Sequence, residues 1–192
     1  KRLIGQVTKD GFQRLSEGEN IVERPPTLQD MISLGEGPYL EFKSTLRWNM
    51  EYLKVDKRME EVILKSISAF SNRDGGKLLI GVADDGEILG LEDDYNSLKE
   101  GNKDHFELHL RNLINNSFGK EFAVTRIHFN FPVIEEIELC EIDIQAGPMP
   151  LFLEVTDKKG IKQKKFYVRS GNSSQELAID EVSSYIKNRF DN

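Results

Sequence analysis

The amino-acid sequence predicts an α+β fold, with a mixed, largely antiparallel sheet flanked by helices. Three observations carry this expectation. Met59, Val62, Ile63, Ile67 and Phe70 recur at helical spacing between Asp56 and Asn72. That stripe stops at Gly75-Gly76 and gives way to the strand-like run Lys77 to Val82, followed by the hairpin dipeptide Asp85-Gly86. From Phe122 to Arg169 the chain reads as strand after strand instead of strand alternating with helix, which argues against a doubly wound sheet.

The elements follow in order. Residues 1–26 carry Gly5, Gly11, Gly18 and Pro25-Pro26 and read as a linker or N-terminal arm from an upstream region, with the folded domain over 27–192. Thr27 caps a short helix, Leu28 to Leu34. Tyr39 to Ser44 alternates as a strand, placing Leu40 and Phe42 on the core side and Tyr39, Glu41 and Lys43 on the other. Arg47 to Val55 is irregular, and Asp56 caps the long helix that ends near Asn72. Glu87 to Leu91 is expected to return as the partner strand of Lys77 to Val82. Asp104 opens a further helix with Glu107 as a capping box and Phe106, Leu110, Leu113 and Ile114 as its stripe. Strands are expected at Phe122 to Phe131, Glu138 to Ile144, Leu151 to Val155 and Lys164 to Arg169. A last helix runs from Ile179 to Phe190 with Val182, Tyr185, Ile186 and Phe190 on one face.

Composition narrows the classes. With 192 residues, 38% apolar and 31% charged, the chain can bury a core without disulfides and resembles neither a disordered nor a membrane protein. No apolar run approaches the roughly 20 residues of a membrane helix. A single cysteine, Cys140, excludes an internal disulfide and fits a reducing, cytoplasmic setting. Lys1 stands where an initiator Met would, which reads as a domain of a larger protein. The net charge of −7 is unfavourable for a nucleic-acid binder. Its distribution is uneven, however. Lys158, Lys159, Lys162, Lys164, Lys165 and Arg169 form a run of six basic residues with no acid among them. Such a run is either a solvated hairpin tip or a contact surface for phosphate.

Two segments carry the chemistry: Glu36-Gly-Pro-Tyr-Leu-Glu41-Phe42-Lys43, and Ala69-Phe-Ser-Asn72 through Gly75-Gly76 to Gly81-Val82-Ala83-Asp84-Asp85-Gly86. With Phe166-Tyr167-Val168-Arg169-Ser-Gly171 as a third element, the layout resembles the Schlafen AlbA_2 domain over about Met31 to Phe190. The resemblance implies a nucleic-acid-binding domain. In the RNA-cutting members it implies an active site of three acids, two from Glu-x4-Glu-Phe-Lys and one from the Gly-Val-x-Asp region. Glu36 and Glu41 match the first two. Asp84 is the favoured third acid, with Asp85 as its substitute, since Ala83 displaces the match. A divalent cation, Mg²⁺ or Mn²⁺, held by these carboxylates would serve an endoribonuclease. The paired lobes of the vertebrate proteins imply a homodimer here.

Around the acids, Lys43 and Arg73 are candidates for phosphate contacts. Tyr167 and Arg169 share a strand face and can combine stacking with charge, leaving Phe166 and Val168 to the core. Each residue also has a plainer reading: Glu41 and Lys43 as an ion pair, Asp85 as a turn residue. Gly75-Gly76-Lys77 is followed by Leu78, not by a hydroxyl residue, so a P-loop and ATP are not expected. His105 and His109 lack the glutamate of a zinc-protease motif. The alternative function is a non-catalytic interaction or regulatory module, or a divergent nucleotide-binding domain, within a larger transcriptional or defence protein.

Overall fold

The apolar runs and turn residues resolve into a mixed set of helices and mostly antiparallel strands in the computed structural model, which describes residues 5–8, 11–14, 27–157 and 159–191. In chain order these are β1 (Gly5–Thr8), β2 (Gly11–Arg14), α1 (Leu28–Leu34), β3 (Leu40–Lys43), β4 (Trp48–Asn49), β5 (Lys54–Val55) and α2 (Lys57–Ser71). There follow β6 (Gly76–Ile80), α3 (Glu92–Asn96), α4 (Lys103–Phe118), α5 (Lys120–Arg126), β7 (Ile127–Asn130), β8 (Val133–Ile134), β9 (Ile137–Glu138) and β10 (Cys140–Ile144). The chain closes with β11 (Phe152–Thr156), β12 (Lys162–Ser170), β13 (Ser173–Glu176) and α6 (Ile179–Phe190). Within the expected 1–26 arm, β1 and β2 pair antiparallel; the rest of that arm lies outside the described residues.

Two sheets organise the molecule. The first has strand order β3-β6-β10-β7, with β3 parallel to β6 and the other pairs antiparallel. The second is the antiparallel ribbon β11-β12-β13. Side-chain alternation decides which face of each strand is covered. On β10, Cys140, Ile142 and Ile144 are buried while Glu141 and Asp143 are half-exposed. One core joins that face to Ile63, Ile67 and Phe70 of α2, Phe106, Leu110 and Ile114 of α4, and Leu153, Val155 and Tyr167 of the second sheet. The opposite face of the first sheet meets α1 in a smaller core of Met31, Ile32, Leu40, Phe42, Leu79, Val82 and Leu139.

Helix α2 lies between the sheets, and its last two turns are buried on every side. A helix so placed cannot carry only large apolar residues, because two sheet surfaces must approach it closely. Small residues fill the crowded positions, namely Ser66, Ser68, Ala69 and Ser71. Asn72 then ties three segments together. Its side-chain amide donates to the carbonyls of Leu151 and Tyr167 at 2.9 Å each, and its carbonyl accepts from Leu151 N–H at 2.8 Å. The backbone carbonyl of Asn72 accepts from the Tyr185 hydroxyl of α6. The turn after it requires glycine: Gly75 has φ +78°, and a Cβ there would stand 2.5 Å from the Ile144 carbonyl oxygen.

Four sequence expectations are corrected. Glu87 to Leu91 forms no strand; a single bridge joins Val82 to Ile88. The first half of the run from Phe122 to Phe131 is helix α5, because Gly119 breaks α4 and Ala123 packs onto the core as part of a new turn. Short apolar runs do not distinguish strand from helix by periodicity. Helix α4 is capped by Asn102, whose side chain accepts from His105 N–H, instead of by Asp104. Val62, expected in the α2 stripe, is exposed.

The connection from β3 into β4 is held by a residue with no local signal. Asp94 is buried in α3 and accepts from the N–H groups of Leu46 at 2.6 Å, Arg47 at 2.9 Å and Trp48 at 3.1 Å. Burial raises its pKa above the ordinary carboxylate value, against the pull of those three donors and of Arg47.

Two outcomes are expected. Asn72→Ala removes the side-chain hydrogen bonds to Leu151 and Tyr167 and strands the Leu151 N–H, so the urea midpoint falls by the equivalent of about 2–4 kcal/mol. A carboxyl whose folded pKa is raised adds stability that is complete below its unfolded value of 3.8 and is lost as pH rises through the folded value. The stability advantage of the native chain over Asp94→Asn therefore shrinks as pH climbs through that window, measured by urea unfolding at a series of pH values.

Candidate functional site

Strand β3 is an edge strand, and an open edge must be protected. Here the preceding segment folds back on it. Gly37 and Leu40 form a bridge, and one carboxylate oxygen of Glu36 accepts from Phe42 N–H at 2.7 Å. Glu36 thus satisfies an edge amide. Alternation turns Leu40 and Phe42 toward the α1 core and Glu41 and Lys43 toward α2.

Glu41 is not open to a cation, as the expected cluster with Glu36 and Asp84 would require. It is 6% exposed and surrounded by donors. Its Oε1 accepts from the Ser66 hydroxyl of α2 at 2.8 Å and lies 2.8 Å from Lys43 Nζ. Its Oε2 meets Arg169 Nη1 at 2.5 Å and Ser174 Oγ at 3.4 Å. Lys43 also donates to the Phe42 carbonyl at 2.6 Å.

Arg169 corrects a second expectation. Tyr167 and Arg169 do share a face of β12, but it is the face turned toward α2, and both are buried. Phe166 and Val168 are also buried, with Phe166 packed between Phe152 and Tyr185. From Phe166 to Arg169 the strand is covered on both sides, so neither Tyr167 nor Arg169 is presented to a ligand. Arg169 is fully enclosed. Besides Glu41 it donates from Nη2 to the carbonyls of Gly37 at 2.9 Å and Leu40 at 3.2 Å. Its guanidinium lies 4.8 Å from the centroid of the Phe70 ring, and its Nε has no hydrogen-bond partner. Burial pushes its pKa below the ordinary value while the charges of Glu41 and Glu36 pull it back up. The loop after Arg169 is the turn of the β12–β13 hairpin, with Ser170 paired to Ser173.

Asp84 and Asp85 are exposed in the turn beyond β6. Asp85 serves that turn by accepting from Glu87 N–H at 3.0 Å. Because β3 and β6 run parallel, Lys43 reaches the same end of the sheet, its carbonyl accepting from Gly81 and Val82 N–H. A divalent cation needs carboxylate oxygens open to it. Those of Glu41 are occupied by two cations and two hydroxyls, and one of Glu36 by a backbone amide. Among the described residues no group of three or more His, Cys, Asp or Glu side chains is placed to hold a metal ion. As arranged here, Glu36, Glu41 and Asp84 do not fit a shared cation.

The basic residues divide into two sets. Lys159, Lys162 and Lys164 are exposed on the β11–β12 hairpin; Lys158 lies outside the described residues. Lys162 pairs with Glu154 at 2.7 Å and Lys165 with Glu176 at 2.8 Å. Among the described residues Lys159 and Lys164 have no carboxylate at ion-pair distance. Arg73, by contrast, is a tether: it donates to the Arg169 carbonyl, and its own carbonyl accepts from Arg189 of α6. One cation escaped the sequence reading. Lys65 of α2 sits 5.1 Å from the centroid of Tyr167. Its only sequence signal is a position outside the α2 stripe.

The Schlafen, AlbA_2 family model matches residues 36–178. Among solved structures, the DIP2311 protein from Corynebacterium diphtheriae superposes with a TM-score of 0.51 at 17% identity, over 86% of this chain and 29% of that one. That likeness concerns the fold, and the chain spans less than a third of the solved protein's length. No curated protein matches the chain.

Breaking a buried ion pair by removing one partner leaves a charge without compensation, at about 3–5 kcal/mol. Glu41→Gln and Arg169→Met are each expected to lower stability on that scale. The double variant should lose less than the sum, giving a coupling energy of about 1–3 kcal/mol in a double-mutant cycle followed by urea unfolding.

Proposed function

The chain belongs to the Schlafen AlbA_2 family, and on that footing we propose that it is a nucleic-acid-binding module whose β11–β12 ribbon follows a phosphate backbone. The observation that carries this reading is the exposure of Lys159, Lys162 and Lys164 on one projecting ribbon of an otherwise acidic chain. Lys164 has no acid at ion-pair distance among the described residues. The pairs Lys162–Glu154 and Lys165–Glu176 are solvent-exposed. Exposed pairs contribute about 0–1 kcal/mol, so phosphate can replace the carboxylate at little cost. Arg169 and Tyr167 support the ribbon from within, because they anchor β12 to α2. The reading needs no open carboxylate.

A metal-dependent endoribonuclease built on Glu36, Glu41 and Asp84 is the sharper form of the family reading. It would require Glu41 to exchange Arg169 and Lys43 for a cation. A non-catalytic protein-interaction module is the bland form.

One experiment separates the three. Labelled single-stranded RNA and DNA are titrated with the purified chain at several salt concentrations, with Mn²⁺ or with chelator. The proposal expects binding without cleavage, weakening as salt rises. Lys162→Ala/Lys164→Ala is expected to reduce the log–log salt slope by about 0.7 per lost phosphate contact. Metal-dependent cleavage abolished by Asp84→Asn would favour the nuclease. An absence of binding at low salt would leave only the interaction module.

A further inference from the structure

A strand covered on one side buries alternate residues and leaves the others, usually polar, to water. On β11 Leu153 and Val155 are buried, whereas Phe152, Glu154 and Thr156 are exposed. Phe152 is 38% exposed, an aromatic ring in a row that is otherwise polar. Its partner across the strands is Phe166, and the two ring centroids lie 5.1 Å apart with the planes tilted by 54°. The Phe152 ring is thus packed on one side and open to solvent elsewhere.

The ring is held in place from two directions. Leu151, the residue before it, is fixed through both backbone groups. Its N–H donates to Asn72 Oδ1 at 2.8 Å, and its carbonyl accepts from Asn72 Nδ2 and Ser68 Oγ at 2.9 Å each. Behind Phe152, the buried Phe166 ring is backed in turn by the Tyr185 ring of α6 at 5.8 Å. The Tyr185 hydroxyl donates to the Asn72 carbonyl at 2.9 Å. A row of three rings therefore ends at the surface in Phe152. A platform so fixed loses little freedom when a flat ligand settles on it.

Neighbours on the same face indicate the occupant. The register pairs Phe152 with Phe166, Glu154 with Lys164 and Thr156 with Lys162. Lys164 is therefore the diagonal neighbour of Phe152, about 7–8 Å away between Cα atoms, and Lys162 lies one step further along the row. Glu154 is the acid of this row, and Lys162 pairs with it at 2.7 Å. Asp157 turns its carboxylate into the hairpin turn, accepting from the N–H groups of Lys159 and Ile161 at 2.8 Å each. From Phe152 to Phe166 the sequence holds five lysines against these two acids. An open aromatic face with lysines along one side matches an unpaired base and its phosphates. The base stacks on the ring while the backbone passes over the ammonium groups. A duplex keeps its bases stacked on one another and offers no such face.

We infer that Phe152 is a base-stacking platform on the outer face of the β11–β12 ribbon, with Lys164 and Lys162 taking the phosphates, so that the module prefers single strands to duplexes. The inference rests on the nucleic-acid reading above. It is tested with single-stranded RNA and DNA carrying 2-aminopurine, and with the matching duplexes, titrated with the whole chain. The native chain is expected to change the 2-aminopurine fluorescence and to bind the single strand more tightly. Phe152→Leu keeps an apolar contact with Phe166 but removes the aromatic face. It should weaken affinity about tenfold, the scale of a lost base–aromatic stack, and abolish the fluorescence change with the salt slope unaltered. Phe152→Tyr should retain the native behaviour. Lys164→Ala should give the opposite signature, a salt slope lower by about 0.7 with the fluorescence change kept at saturation. Urea unfolding of each variant checks that the fold persists. If Phe152→Leu binds and reports as the native chain does, the platform is wrong and the ribbon reading stands. Duplexes bound as tightly as single strands would overturn the platform in the same way. If the native chain binds no nucleic acid, both fall. A native dimer that Phe152→Leu dissociates in sedimentation velocity, with nucleic-acid affinity unaltered, would overturn the platform in favour of self-association.

Discussion

The contact between Glu41 and Arg169 is the constraint on which the arrangement depends. The two residues are 128 positions apart, one on the edge strand of the first sheet and one in the middle of the second. Both are buried, and each is expensive to bury alone. Neither sheet surface is therefore complete without the other. The pair recruits Ser66 and Lys43 on one side and the carbonyls of Gly37 and Leu40 on the other, so it also fixes the loop that shields the edge of β3. The Phe70 ring beneath the guanidinium adds a cation–π contact that a water-exposed arginine would hold more weakly.

This use of charge changes what the polar segment from Glu36 to Lys43 can do. A carboxylate with four donors around it is a structural anchor, and an arginine wholly enclosed is a strut. On the proposed reading, recognition falls to groups that the fold leaves exposed. These are the lysines of the β11–β12 ribbon. The ribbon rises from a base anchored by Arg169 and Asn72. Rigid supports beneath exposed contact groups are what efficient recognition requires, because less freedom is lost on binding.

Much of the fold was legible because its signals are local. Thr27 at the start of α1, Asp56 at the start of α2, the apolar stripe of α6 and the double glycine before β6 each act over a few residues. The site was legible only in part. Periodicity correctly placed Tyr167 and Arg169 on one face of β12, yet it could not say which face would be covered. Polarity suggested the exposed one, and a partner 128 residues away reversed it. Asp94 was invisible for a similar reason: its role lies in three amides at residues 46–48. The helix at Lys120–Arg126 was missed because a run of apolar residues too short to show a period satisfies strand and helix alike.

The formal charge of −7 then has less force against a polyanionic partner than it first carries. At physiological ionic strength charges act over about 8 Å, so a strand lying on the ribbon senses its immediate lysines before it senses the chain as a whole. Several acids are also turned inward. Glu41 is neutralised by Arg169 and Lys43, Glu60 lies against Arg47 and His109, and Asp94 accepts from three backbone donors. What remains for long-range repulsion is the scattered acid elsewhere on the surface, and that repulsion is the component salt screens most. Phosphate contacts made by lysines weaken with salt as well, through counterion release, whereas stacking on an aromatic ring does not. A chain of this charge that binds single strands at cellular salt would therefore depend on an uncharged contribution beside its lysines.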